Sequence, residues 1–361
     1  MLKIFSDSSY VPPGRGHIVM LYPFWGKNPE DPRDPNSGRF DRYTRIGRSF
    51  FHMVPLEEAD IAVFPGAWEH VVGNPEALAL AERFIERAGA AGKPTVLFFW
   101  SDSDEKVPYP DTIVFRTSLY RSRREPTEFA MPAWSEDFVE KWLGGSLPVR
   151  PKGKKPVVGF CGYAGPLRIS LKKRVRRVLR WGAEIVGIRE KVTPKPGPLL
   201  RAKALCLLSE SPLVETNFIV REHFLGGALL PGGQEDLGLK QKVRLEYVRN
   251  MVESDYILCA RGAGNFSYRL YETLSCGRIP IFIDTDCVLP YDFAIEWKDY
   301  CVWVDESELP LVAEKVAQLH DNLTAREFEE LQCECRRLWE KWLSPQGFFA
   351  NFYRHFQKNG G

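Results

Sequence analysis

The sequence predicts an α/β protein built from two Rossmann-like halves. Three features carry that expectation. The chain has 361 residues, more than one hydrophobic core of ordinary size accommodates. Two separate series of short apolar runs alternate with helical periodicity, the sign of βαβ units and parallel sheets. Between them, from Gly144 to Pro156, Gly, Pro and Lys replace any periodic pattern. That break sets domains at residues 1–150 and 151–325, with residues 326–361 expected as helices packing back on the first domain.

In the first half, Leu2 to Phe5, Ala59 to Phe64 and Pro94 to Trp100 read as strands. Pro75 to Ala91 reads as a helix with Leu78, Ala81, Phe84, Ile85 and Ala88 on one face. Val11 to Asn36 is rich in Pro and Gly and predicts a long loop, either ordered and carrying function or flexible. In the second half the expected order is strand Pro156–Gly162, helix Leu171–Arg180, strand Asp255–Ala260, helix Phe266–Ser275 and strand Ile279–Ile283.

The composition narrows the function classes. Hydrophobic residues make up 44% and charged residues 27%, which is a globular balance. A net charge of only +2 argues against a surface built to hold a nucleic-acid backbone. The first residues turn polar too soon for a signal peptide, and no apolar run approaches roughly 18 residues, so the expected location is cytoplasmic. The eight cysteines form no Cys-x-x-Cys pair, and most sit in apolar runs as buried thiols. Cys333 and Cys335 lie in a charged helical stretch without His neighbours, so no metal is expected there.

The chemistry concentrates between Asp255 and Pro290. Gly262 and Gly264 permit a tight turn with close backbone approach after an apolar strand. The following helix start, around Asn265, Ser267 and Tyr268, aims unpaired N–H groups and the positive end of the helix dipole at the turn. A phosphate suits that position, and Arg261 and Arg269 would add charge. Glu272, about one turn into the helix, is placed to accept the hydroxyls of a ribose on that phosphate; the plainer alternative is a surface pair with Arg269.

Two rival readings share these residues. Gly262-x-Gly264-x-x-Ser267 approaches the dinucleotide fingerprint, with Asp284 at the next strand end where an acid would hold an NAD ribose. That reading gives an NAD-dependent oxidoreductase, but Ser replaces the third small residue. Asp284-Thr285-Asp286 also has the D-x-D form that can hold a divalent metal, and Asp102-Ser103-Asp104 repeats it.

A resemblance decides between them. The Arg-Gly turn, Ser267-x-Arg269-x-x-Glu272, Cys276-Gly277-x-Ile279-Pro280, Val288-Leu289-Pro290-Tyr291 and Trp303-Val304-Asp305-Glu306 together resemble the signature of the exostosin family of glycosyltransferases. Fainter likenesses run through Glu58-Ala59-Asp60, Phe115-Arg116-Thr117-Ser118 and Ala130-Met131-Pro132-Ala133-Trp134. The resemblance implies a GT-B architecture, two domains facing across a cleft, with the acceptor on the first and a UDP-type nucleotide sugar on the second. It implies inversion at the anomeric carbon, with Arg261, Ser267 and Arg269 on the diphosphate and sugar and Glu272 on the ribose. Arg168 joins them as a further candidate, and no metal is expected.

An inverting transfer needs a base on the acceptor side. Asp102 and Asp104 follow the strand ending at Trp100, at the sheet edge where ligands bind, and Asp7 and His17 stand in reserve. Turn capping is the ordinary alternative for both acids. The expected acceptor is a carbohydrate or lipid-linked glycan, which Tyr22, Phe24, Trp25 or Trp68 could stack against. Lys172, Lys173, Arg174, Arg176, Arg177 and Arg180 give a basic helix face that could meet a membrane surface. A sugar-binding relative without transferase activity is the remaining alternative.

Overall fold

The computed structural model describes residues 1–165, 196–229 and 235–357. Two all-parallel sheets organise the chain. The first contains β1 (Leu2–Phe5), β2 (Phe51–Met53), β3 (Ile61–Ala67), β4 (Thr95–Phe99), β5 (Thr112–Arg116) and β6 (Glu128–Ala130). Its spatial order is β2-β1-β3-β4-β5-β6. Both of its faces are covered, as a parallel sheet requires. Ile61 and Val63 of β3, with Val96 and Phe98 of β4, enter one apolar cluster, while Ala62, Phe64, Leu97 and Phe99 enter another on the opposite face.

Helix α1 (Pro75–Ala90) closes that second face. Asn74 caps it by accepting from the Ala77 N–H, and Pro75 opens it without wasting a donor. Its buried row is Ala77, Ala81, Phe84 and Ala88, so Leu78 and Ile85 flank the core instead of forming it.

The second sheet contains β7 (Val157–Tyr163), β8 (Glu215–Arg221), β9 (Tyr256–Cys259), β10 (Ile279–Asp284) and β11 (Val302–Asp305), in the order β11-β10-β9-β7-β8. Among the described helices of this half are α2 (Pro196–Glu210), α3 (Leu237–Val252), α4 (Tyr268–Ser275) and α5 (Val312–Asn322). The helix expected over 171–180, with Arg168 before it, lies outside the described residues.

The tail comprises α6 (Ala325–Leu338), opened by a Thr324–Glu327 capping box, a π-turn at Trp339–Leu343 and α7 (Pro345–Asn351). Its aromatics pack on the first half: the Phe349 ring is 4.4 Å from that of Tyr43, in the short helix Asp41–Ile46, and the Phe352 ring is 4.6 Å from that of Phe115 in β5. Arg336 ties the tail to both domains, donating to Asp137 at 2.7 Å and to the Ser275 carbonyl at 2.7 Å. The segment between the sheets is packed too, because the buried Arg278 donates to the Pro148 carbonyl and to Gln332. No described helix is long and apolar enough to cross a membrane. The cysteines are all free thiols, six of them buried.

Candidate nucleotide-sugar site

In the second sheet the chain runs from β7 outward to β8, then returns to β9 on the other side of β7. The crevice beyond the carboxyl ends of β7 and β9 is therefore the switch point at which open α/β sheets bind ligands. The glycine turn follows β9 there, and Ser267 stands at the N-cap of α4 with extended backbone and a hydroxyl that makes no capping bond. No acidic side chain occupies the first turn of α4.

Gly264 is required by close approach. A Cβ on it would lie 2.8 Å from the Asp102 Cα and 2.6 Å from the Phe266 ring, so any larger residue would push the first domain away. Asn265 belongs to the turn's own framework. It is wholly buried, its N–H donates to Ser118 Oγ, its side-chain amide donates to the Leu119 and Asp286 carbonyls, and its Oδ1 accepts from Thr285. Its N–H donors are all engaged within the protein.

Three arginines converge on this crevice. Arg269 donates to the Cys161 carbonyl at 2.9 Å at the end of β7, and its guanidinium lies 4.3 Å over the Phe160 ring. Arg261 donates to the Ala263 carbonyl inside the turn. Arg201, on α2, reaches the Tyr163 and Ala260 carbonyls at 3.4 Å each, and its Nη2 lies 3.6 Å from where a Gly262 Cβ would stand. The Nε atoms of all three are buried without a partner among the described residues. Burial, followed by repulsion from Arg269, brings the Arg201 guanidinium down to about 10. Among the described residues these cations bond to carbonyls and not to carboxylates, an arrangement suited to a polyvalent anion.

Glu272 lies deeper and is nearly buried. The Tyr247 hydroxyl donates to it at 2.6 Å, and Arg244 pairs with it at 2.9 Å. Arg244 also grips Glu136 of the first domain with two bonds of 2.8 Å. The surface pair between Arg269 and Glu272 is thus corrected: the two side chains turn to different partners, because Arg244 brings a better placed charge to Glu272. Each carboxylate oxygen has two lone pairs, so Glu272 keeps acceptor capacity beyond these bonds.

The first domain meets the turn through Trp100 and Asp102. The Trp100 indole donates to the Tyr268 hydroxyl at 2.8 Å, and Asp102 sits against Gly264. Asp104 turns outward to Arg123 at 2.7 Å. Asp7 caps the Ser9 N–H and pairs with Arg87 at 3.0 Å. His17 is held within its own loop, Nε2 bonded to the Gly26 carbonyl and its ring edge-on to Tyr22 and Trp25; burial holds it below the usual histidine range. Asp284 and Asp286 hold the first domain, with Asp284 joined to Arg121 at 3.2 Å and Asp286 accepting from Ser122. No group of three or more His, Cys, Asp or Glu is gathered as for a metal ion among the described residues.

Sequence patterns missed Arg201, Arg244 and Tyr247, since α2 and α3 carry no motif. The Lys and Arg spacing of α3 resembles that of any solvated helix.

Two parallel sheets with flanking helices make this an α/β protein, an architecture consistent with the GT-B type. Residues 230–319 match the Exostosin GT47 domain. The chain is 30% identical over 100 residues to Exostosin-1 of Drosophila melanogaster, covering 28% of this chain and 13% of that one. It is 41% identical over 64 residues to a probable beta-1,4-xylosyltransferase of Arabidopsis thaliana, covering 18% and 15%. A probable glucuronosyltransferase of Oryza sativa subsp. japonica is 38% identical over 64 residues, again 18% and 15%. The chain thus aligns with about one seventh or less of the length of these relatives. The matched domain carries Arg244, Tyr247, Arg261, Arg269 and Glu272, whereas Arg201 lies outside it.

Proposed function

We propose that this protein is an inverting glycosyltransferase that moves a sugar from a UDP-type nucleotide sugar to a hydroxyl of a carbohydrate or glycoconjugate acceptor. The observation that carries the reading is the trio Arg201, Arg261 and Arg269 at the second switch point, each with a buried Nε lacking a partner among the described residues. A diphosphate would balance the charge of the three guanidinium groups, with the start of α4 adding its dipole. The ribose would extend toward Glu272, whose carboxylate is already oriented by Tyr247 and Arg244.

In the single displacement, the acceptor oxygen forms a bond to the anomeric carbon as the bond to the β-phosphate oxygen breaks, and the nucleoside diphosphate leaves with the electron pair. Fixed guanidinium groups in a partly buried site stabilise that growing charge without reorganising. In this reading they do what a metal does in other transferases, while Asp284 and Asp286 serve the domain contact. The same contact weakens the dinucleotide alternative, since Asp284 is engaged by Arg121.

The test is a thermal shift with UDP, UDP-xylose and UDP-glucuronic acid on the parent and on R201A, R269A and E272A. The parent is expected to rise with nucleotide concentration as ligand linkage requires, and R201A to lose most of that rise. A parent indifferent to all three, or variants that respond as it does, would sink the reading.

A further inference from the structure

The first sheet has its own switch point. The chain runs from β1 to β2 on one side and returns to β3 on the other, so the crevice beyond β1 and β3 is the corresponding ligand position on the acceptor side. Asp7 after β1 is consumed by Arg87 and the Ser9 N–H. The acid after β3 is Glu69, in the Trp68–His70 turn, and it is not consumed. Its Oε2 accepts the Trp100 main-chain N–H at 3.0 Å, and it forms no ion pair among the described residues.

Three features mark the surroundings of Glu69. Trp100, whose N–H holds it, also bonds Tyr268, the first residue of α4. The Pro-rich loop covers the end of β3: the Ile18 N–H donates to the Pro65 carbonyl, and a Cβ on Gly66 would meet Pro12 at 2.6 Å. The surrounding charges are few. His70 follows on the same turn with its Nδ1 buried and unpartnered, Arg15 of the loop acts on His70, Arg39 lies 5.8 Å over the Trp100 ring, and Asp102 follows on the β4 side.

Resting on the transferase reading above, we propose that Glu69 is the general base that takes the acceptor hydroxyl proton. The proton passes from acceptor oxygen to Glu69 as that oxygen bonds the anomeric carbon, and afterwards leaves to water. Burial, opposed by the bonds from its own N–H and that of Trp100, lifts its carboxyl to about 7, which matches a base working near neutral pH. The exposed Asp102 stays beside Gly264 as a spacer between the domains.

The experiment compares parent, E69Q and D102N for UDP affinity by calorimetry and for UDP release from UDP-xylose and UDP-glucuronic acid, with xylo-oligosaccharide acceptors, from pH 5 to 9. E69Q keeps the Trp100 bond through its amide oxygen. It is expected to bind UDP within about twofold of the parent while losing about 10²–10⁴-fold in turnover. The parent's acid limb near pH 7 is expected to vanish in E69Q and persist in D102N. E69Q turning over at the parental rate, or retaining that limb, would overturn the proposal and leave the transferase reading standing. A parent that binds no UDP would overturn the transferase reading, and this proposal with it.

Discussion

The indole N–H of Trp100 and the hydroxyl of Tyr268 meet at 2.8 Å across the line between the two sheets. Trp100 directly follows β4 and Tyr268 begins α4, so this neutral hydrogen bond joins the edge of the first sheet to the start of α4, alongside the Glu136–Arg244–Glu272 pairs. Such a bond contributes about 1 kcal/mol. Tyr268→Phe is expected to lower stability by about that amount in urea titration and to red-shift tryptophan emission as the indole turns to water. An unchanged emission spectrum would show that the bond does not order Trp100.

The Glu136–Arg244–Glu272 chain makes a stronger demand. Arg244 lies between two nearly buried carboxylates from different domains, at 2.8 and 2.9 Å. Burial works to raise the Glu136 carboxyl, but Arg244 overcomes it and holds Glu136 below the usual carboxylate range. Removing the cation strands both acids, which typically costs about 3–5 kcal/mol. Arg244→Met should therefore destabilise strongly at pH 8, with part of the loss recovered at pH 5 as the stranded Glu136 takes up a proton. Equal destabilisation at both pH values would contradict the ionic account.

How much of this was legible in the sequence depended on burial and repetition. Strands β1, β4, β7, β9 and β10 are continuous apolar runs, and all were visible within a residue or two. Strand β3 was placed two to three residues early, because Ala59 and Asp60 look like strand starters, yet the Asp60 carboxylate instead accepts the Lys3 N–H. Strands β2, β6 and β11 have only three or four residues, and β8 lies at a sheet edge with exposed Glu215 and Thr216. Nothing local distinguishes these from loops. Strand β5, Thr112–Arg116, is apolar enough but ends in an arginine that pairs with Glu128 of β6 inside the protein, a partnership no single segment reveals. Likewise the glycine turn and its two neighbouring arginines were readable as a phosphate motif, but Arg201 comes from a helix some 60 residues upstream. Glu69 passed unnoticed because its meaning lies in the Trp100 N–H.

His355 makes stability sensitive to mild acid. Its ring packs against Phe115 at 4.8 Å and Tyr291 at 4.7 Å, Nδ1 donates to the Phe352 carbonyl, and Nε2 is buried without a partner among the described residues. Burial pushes it down to about 4, below the unfolded value near 6.5. Between those values the unfolded chain binds the proton that the folded chain excludes, so stability is full above pH 6.5 and falls as pH drops toward 4. The loss should approach about 2 kcal/mol, allowing for partial exposure of the ring. His355→Phe should remove this acid-dependent loss, so that from pH 6.5 to 4 the variant falls less, or rises more, than the parent in urea midpoints; a variant with the parent's slope would rule His355 out as a source.

Glu69 contributes the opposite slope over nearly the same pH range. Its folded carboxyl lies at about 7, above the unfolded value near 4.3, so the folded chain holds a proton that the unfolded chain has released. The stability that this proton brings is complete below pH 4.3 and is lost as pH rises through 7, where ionisation in a partly buried setting must be tolerated. Glu69→Gln, always neutral and able to keep the Trp100 bond, should match the parent near pH 4 and exceed it by about 2 kcal/mol at pH 8.5, with exposure of the group already discounted. If the glutamine variant is no more stable than the parent at pH 8.5, then Glu69 ionises freely, and its environment does not tune it for proton transfer.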